Sequence, residues 1–394
     1  MSSSYFPGIR FLHAPGPTHI PKAVMDAVSA QPLDMAEPRL NEVIHSCEQG
    51  LKRVIGTKDS DVFLYAANGH GAWEAVIVNV AAPGQKVLIP GTGHFSDSWA
   101  QMTEAMGVQV VRTPFKEGFP VDPAEVEAAL RLDAKHEIVA VFAIQTDTAS
   151  STTNDIPAIR RALDAAKHPA LLVVDVVASL GACPYNMDDW GVNVTMGASQ
   201  KGLMTPPGIG LCAVDKRAMD VAKNNHSHRF YWDWVRRQDA PAYKKFCGTA
   251  PQNLLMGMEV ALGLMFKEGI DQVHARHRLI ASAVQAAVAA WAKGGQLRFL
   301  CAVPDARSVS VTSVHVEKGV DPELIRTVAR ERFQVAMAGG LGPFSGRVFR
   351  IGHLGDMNAA MILGALSGIE AALRQLGIKI EDGVTKAVEV VSRG

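Results

Sequence analysis

Between about residues 60 and 215, short apolar, β-branched runs alternate with segments of helical periodicity. The candidate strands are Val62–Tyr65, Lys86–Ile89, Gln109–Arg112, Ile138–Ile144, Leu171–Asp175, Val192–Thr195 and Gly210–Val214. Runs that are apolar on both faces and separated by helix-length segments are what a mostly parallel sheet covered on both sides requires. Helix starts are marked as well. Asp122-Pro123 and Asp155-Ile156-Pro157 each put a capping carboxylate before a proline suited to the first helical turn.

Beyond about residue 265 the pattern changes to long Ala-rich amphipathic stretches, His277 to Trp291 and Ala359 to Leu376, with short strands near Val309–Val311 and Val348–Ile351. The expected organisation is α/β: a large domain over residues 21–265 built on a mostly parallel seven-stranded sheet, and a smaller α+β domain over 266–394. Residues 1–20, rich in Pro and Gly around Pro15-Gly16-Pro17, are expected to be an extended arm. Such an arm needs another surface to lie on, and a partner subunit is the expected one.

Composition narrows the function classes. With 39 basic and 39 acidic residues and no long run of either sign, the chain lacks the electrostatic footprint for nucleic acid or anionic lipid. No stretch approaches the roughly 18 apolar residues of a membrane span. Cys47, Cys183, Cys212, Cys247 and Cys301 are odd in number and never spaced as C-x-x-C, which points to reduced thiols, no metal site and the cytoplasm.

Three features carry candidate chemistry. The first is Ser199-Gln200-Lys201-Gly202, just after a predicted strand. A lone lysine is usually a solvated charge, but one at a strand end in apolar surroundings can be desolvated, which frees its amine for Schiff-base chemistry. The second is Asp175, which ends Leu171–Val174 at the carboxyl edge of the sheet, where open α/β folds bind ligands. It reads equally as a turn cap or as the partner of a cationic heterocycle. The third is Ala67-Asn68-Gly69-His70-Gly71-Ala72-Trp73-Glu74-Ala75, a glycine-rich turn between strand and helix whose small residues admit a phosphate to backbone N–H groups. It does not complete the dinucleotide fingerprint, which disfavours a nicotinamide cofactor.

In this order the three features resemble the class V aminotransferases of the pyridoxal 5'-phosphate (PLP) fold-type I group, most of all the alanine-glyoxylate and serine-glyoxylate aminotransferases. The resemblance extends from Pro15-Gly16-Pro17-Thr18 through Gly69-His70, Asp175–Gly181 and Gly197–Lys201 to Gly339–Pro343 and Arg350-Ile351-Gly352. It implies a PLP-dependent homodimeric transaminase working by a ping-pong mechanism. It further implies that Lys201 holds the cofactor and shuttles protons, that Asp175 faces the ring nitrogen, and that Val177 and Phe95 pack on opposite ring faces. Thr148 resembles the hydroxyl residue at the ring's phenolic oxygen. Gly69, His70, Gln200 and, from the other subunit, Thr249 resemble the phosphate site, and Arg350 resembles the clamp for the substrate carboxylate.

The chain also departs from the family pattern. Phe246 stands where a tyrosine near the phosphate is usual, with Tyr243 close by; Thr146–Ser151 lacks a glycine common there; and Asp34–Arg39 lacks the family's His-Arg-Ser-Pro. The expected reaction is transamination of glyoxylate to glycine. The resemblance, including Tyr231–Trp234 and Phe246–Thr249, leans toward the aspartate-glyoxylate aminotransferases of the β-hydroxyaspartate route, with L-aspartate giving oxaloacetate, then L-serine, as donor. Candidate groups for the donor side chain are Arg39, His13, His19, His94 and Lys245. Alanine-glyoxylate transamination is the alternative, followed by a cysteine desulfurase-type lyase, which needs a loop thiol, and a regulatory module that only binds PLP.

Overall fold

The computed structural model describes residues 8–238 and 240–393. Residues 1–7 of the expected arm, Asp239 and Gly394 lie outside the described residues. The strands are β1 (Phe11–His13), β2 (Asp61–Ala66), β3 (Lys86–Ile89), β4 (Gln109–Arg112), β5 (Ile138–Ile144), the two-residue β6 (Thr146–Asp147) and β7 (Thr152–Thr153), and β8 (Leu171–Asp175). There follow β9 (Val194–Ala198), β10 (Ile209–Val214), β11 (Leu297–Phe299), β12 (Val311–Val316), β13 (Val335–Gly339) and β14 (Val348–Gly352).

Seven strands form the large sheet in the order β2-β10-β9-β8-β5-β3-β4. It is mixed rather than uniformly parallel. The pairs β3–β4, β3–β5, β5–β8 and β8–β9 are parallel, whereas β10 runs antiparallel to both β2 and β9. Residues 199–208 are too few for a crossover helix, so the chain leaving β9 returns beside it in the opposite sense. Lys201 sits in that return.

Each strand feeds two cores by alternation. Leu64, Leu88, Val141, Leu172, Val174 and Leu211 pack to one side of the sheet; Phe63, Tyr65, Val87, Phe142, Val173 and Cys212 pack to the other. Asp122 and Asp155 do cap their helices, accepting hydrogen bonds from the N–H groups of Ala124 and Ala158.

The second sheet has the order β1-β13-β14-β12-β11 and shares its core with the helices Ile270–Ala292, Pro322–Arg332 and Ala359–Gln375. Its edge corrects one expectation. Residues 11–13 of the arm pair in parallel with β13 of their own chain, so this part of the arm needs no second subunit. Two strand positions are corrected too. β9 begins at Val194, because the Asn193 side chain bonds to Leu172 N and Asp215 and pins a turn there. β12 begins at Val311, where Val309 instead offers its carbonyl to His353.

Candidate active site

The parallel register places Ile144 of β5 opposite Asp175 of β8, and Asp175 opposite Met196 of β9, so their carboxyl ends share one edge. A cavity of about 190 Å³ opens there. Among its lining residues are Gly69, His70, Phe95, Thr148, Asp175, Val177, Gln200 and Lys201, eight positions picked out from the sequence. A larger groove of about 610 Å³ lies at the amino ends of the same strands, beside Gln85, Ile138 and Leu171, and holds none of the expected site residues. The expected site residues gather at the smaller cavity.

Asp175 is buried and both its oxygens are engaged. Oδ1 accepts from Val177 N at 2.7 Å and Oδ2 from Trp73 Nε1 at 2.8 Å. Burial lifts the carboxyl to about 6, opposed by those two donors and by Lys201. Lys201 moves the other way. Burial, aided by the Arg350 charge, lowers its ammonium to about 8, and its amine donates to the carbonyl of Pro15.

The Pro15–Thr18 segment lies directly on the lysine. Thr18 Oγ1 donates to Lys201 O at 3.1 Å, and a Cβ on Gly16 would fall 2.6 Å from Lys201 Cε. Only a glycine fits at Gly16, whose φ of +114° also lies in the left-handed region.

Asn68 caps the helix Gly69–Val80 by accepting from Gly71 N at 3.2 Å, which turns the first, unpaired N–H groups of that helix toward the cavity edge. A Cβ on Gly69 would sit 3.2 Å from Val177 Cγ2, so the turn is packed closely on the opposite wall. Burial and the neighbouring His94 both lower the His70 imidazolium, which keeps that ring neutral near pH 7. Gln200 Oε1 is buried and has no hydrogen-bond partner among the described residues.

Phe95 opens the helix His94–Ala105, and its N–H donates to Asp147 Oδ2 at 3.0 Å. Asp147 also accepts from Ala149 N at 2.8 Å, Ser150 N at 3.3 Å and Thr92 Oγ1 at 3.2 Å, so one fully buried carboxylate aligns the loops that bear Phe95 and Thr148. Its carboxyl is raised by that burial, against the pull of the donors.

Two expected residues lie outside the cavity of this chain. Thr249 is exposed. Arg350 is only 6% exposed and is no surface ion-pair partner: Nε donates to Gly339 O at 2.7 Å and Nη1 to Thr148 O at 3.0 Å. Phe246 is buried in the core, whereas Tyr243 is 64% exposed. Of the side-chain readers considered, Arg39 pairs with Glu259, Lys245 with Glu48 and His19 with Asp356, and His13 is buried with its Nδ1 on Gly352 O. His94 remains, its ring 5.2 Å from that of Phe95.

Trp73, Asp147 and Gly16 were not singled out from sequence. Trp73 lies in the Ala67–Ala75 turn, Asp147 in the Thr146–Ser151 segment and Gly16 in Pro15-Gly16-Pro17, and that nearness to Gly69, Thr148 and the arm is the signal the sequence offers for them. The five cysteines are free thiols and none lines the cavity. Among the described residues no cluster of metal-binding side chains occurs, and no helix is long and apolar enough to cross a membrane.

Comparison with known proteins gives a consistent pattern. The family described as aminotransferase class-V matches residues 10–343. An L-aspartate–glyoxylate aminotransferase of Paracoccus denitrificans is 40% identical over 380 residues, covering 95% of this chain and 94% of its own. A serine–glyoxylate aminotransferase of Methylorubrum extorquens is 38% identical over 390 residues, covering 97% and 96%. The crystal structure of a ureidoglycine-glyoxylate aminotransferase from Bacillus subtilis has a TM-score of 0.89 at 24% identity, covering 99% of this chain and 100% of that one, a likeness of fold alone.

Proposed function

The chain belongs to the class-V aminotransferase family, and on that premise we propose that it is a PLP-dependent transaminase that converts glyoxylate to glycine, with L-aspartate as the preferred amino donor, giving oxaloacetate, and L-serine next. The observation that carries this reading is the convergence of Asp175 and Lys201 on one cavity, the acid raised to about 6 and the amine lowered to about 8. Groups pushed in opposite directions suit one task each: a carboxylate to hold a cationic ring nitrogen, and an amine to bond a carbonyl and then carry a proton.

The residues present fit the cofactor. Gly69 keeps the turn free of a Cβ, the Gln200 amide, whose Oε1 has no partner among the described residues, would turn its Nε2 donor toward a phosphate, and Asp175 offers a negative charge between the apolar walls of Phe95 and Val177. Bound PLP supplies an electron sink for ionising a bond at the substrate's amino carbon. Phe95 and Val177 would confine the ring, Thr148 would donate to its phenolic oxygen, and Gly69, His70 and Gln200 would receive the phosphate. Lys201 Nζ would anchor the cofactor and, once released by substrate, move a proton. Its lowered basicity leaves a useful fraction neutral at physiological pH. Arg350, buried near Lys201, would hold the α-carboxylate shared by every donor and acceptor.

The proposal includes a homodimer, in which the exposed Thr249 would reach the neighbouring subunit's phosphate site, and a cytoplasmic location, consistent with five free thiols. Aspartate is favoured over alanine by the 40% identical relative named for that donor. The absence of any cysteine from the cavity argues against desulfurase chemistry.

Spectroscopy tests the reading. Purified protein supplied with PLP should develop a visible absorbance band, lose it on addition of L-aspartate and recover it with glyoxylate. Lys201→Ala should stay folded and turn over no substrate. Turnover retained by that variant, or a spectrum indifferent to every amino acid, would refute the proposal.

A further inference from the structure

Asp175 is held by a donor that its own strand does not provide. Trp73 lies 102 residues earlier, in the first turns of the helix Gly69–Val80, is 2% exposed, and points its indole N–H at Asp175 Oδ2 over 2.8 Å. That indole cannot swing away. It stacks on Trp99 with centroids 5.4 Å apart and planes 9° from parallel, and Trp99 stacks in turn on Phe142 at 4.7 Å and 16°. Phe142 belongs to β5, which pairs with β8, the strand that ends at Asp175. The stack therefore ties the donor to the same sheet as the acceptor.

Trp99 shares the burial and the stacking but differs in one respect: its own N–H has no partner among the described residues. The hydrogen bond is specific to Trp73. A carboxylate oxygen has two lone pairs, so with Val177 N on Oδ1 and Trp73 Nε1 on Oδ2 each oxygen keeps one for the cavity. A charge-assisted bond of this length also stabilises the anion relative to the acid.

We propose that Trp73 is a positioning residue for Asp175: its indole N–H, immobilised by the Trp99–Phe142 stack, holds the carboxylate in one orientation and favours its ionised form, preparing it for a cationic heterocycle. The inference rests on the PLP reading for its purpose, but the coupling between the two residues stands apart from it. An indole serves this task because it is donor-only and rigid; a hydroxyl or amide at the same place could rotate or present an acceptor to the carboxylate.

Two measurements test it. In the first, PLP is titrated into cofactor-free wild type, Trp73→Phe, Trp99→Phe, Asp175→Asn and the Trp73→Phe/Asp175→Asn double variant. Trp73→Phe should weaken binding at least tenfold in the wild-type background and less than threefold beside Asp175→Asn, and Trp99→Phe less than threefold. Equal losses in both backgrounds, or equal losses from Trp73→Phe and Trp99→Phe, would overturn the proposal. The second measurement needs no variant of Trp73. In cofactor-free protein labelled with ¹⁵N-tryptophan, the one indole N–H resonance displaced by Asp175→Asn should titrate in the wild type with a midpoint near the carboxyl's, about 6. Indole resonances that are all unmoved by Asp175→Asn, or flat with pH, refute the coupling. A wild type that shows the titration but binds no PLP would refute the cofactor assignment and leave the coupling intact.

Discussion

A Cβ on Gly16 would stand 2.6 Å from Lys201 Cε, so the backbone at Gly16 and the side chain of Lys201 occupy their places only because Gly16 has no side chain. Gly16→Ala should therefore displace the lysine as well as strain a φ of +114°. The expected cost is about 1–3 kcal/mol in stability and at least a tenfold loss of PLP affinity. Gly8, at φ +83° with no described residue within 4 Å of where a Cβ would stand, separates the two effects. Gly8→Ala should leave cofactor affinity within about twofold. Melting curves and PLP titrations of both variants check this.

Asp147→Asn tests the buried carboxylate under the loops. Each oxygen of Asp147 faces two donors, Ala149 N and Ser150 N on one and Thr92 Oγ1 and Phe95 N on the other. Whichever way an asparagine flips, its NH₂ opposes at least one backbone N–H, that of Phe95 on one side or those of Ala149 and Ser150 on the other, while the Thr92 hydroxyl can turn to accept. The expected loss is about 2–4 kcal/mol of stability, read by denaturant unfolding, with a weakened cofactor site because Phe95 and Thr148 both lose their alignment. A stability within 0.5 kcal/mol or so of wild type would mean that the loops are fixed by other contacts.

Asp175 predicts a pH dependence of the cofactor-free chain. Its carboxyl is raised from 3.8 to about 6, so the folded state binds this proton more tightly than the unfolded state does. The group's contribution is therefore most favourable below about pH 4 and is lost as pH rises through about 6. Wild type should lose on the order of 2–3 kcal/mol between pH 4 and 7.5 that Asp175→Asn does not lose. Parallel stability profiles for the two proteins would contradict it. With PLP bound the order should reverse at neutral pH, since the ionised acid is then used.

The donor assignment predicts a ranking. With glyoxylate saturating, kcat/KM should be highest for L-aspartate, then L-serine, then L-alanine. Aspartate falling more than about a hundredfold below serine, roughly 2.7 kcal/mol in transition-state binding, would sink the assignment. His94, whose ring meets that of the cavity-lining Phe95, is the candidate for a second carboxylate. His94→Ala should then raise KM for aspartate about tenfold or more and leave that for alanine nearly unchanged.

Local features of the fold were legible because local chemistry determines them. Asp122 and Asp155 cap their helices, Asp175 ends β8, and Lys201 follows β9, strands whose apolar runs are unmistakable. The direction of β10 was not legible: Ile209–Val214 is buried on both faces and reads the same in either sense, so only the shortness of residues 199–208 spoke for antiparallel. The three residues of β1 are too few for a period, and their partner β13 lies more than 300 positions away. Trp73 and Asp175 illustrate the same limit within the site. An aromatic in a helix looks like core, and here it is core on one side and a hydrogen-bond donor on the other.

The pairing of β1 with β13 has a mechanical consequence. Between His13, fixed in register to Met337, and Pro15, whose carbonyl receives the Lys201 amine, runs a tether of two peptide steps, roughly 7 Å at full stretch. So short a tether has no slack. Any sliding or rocking of the second sheet beyond a few ångströms must drag Pro15 with it, which makes the edge of that sheet and the Lys201 amine parts of one linkage.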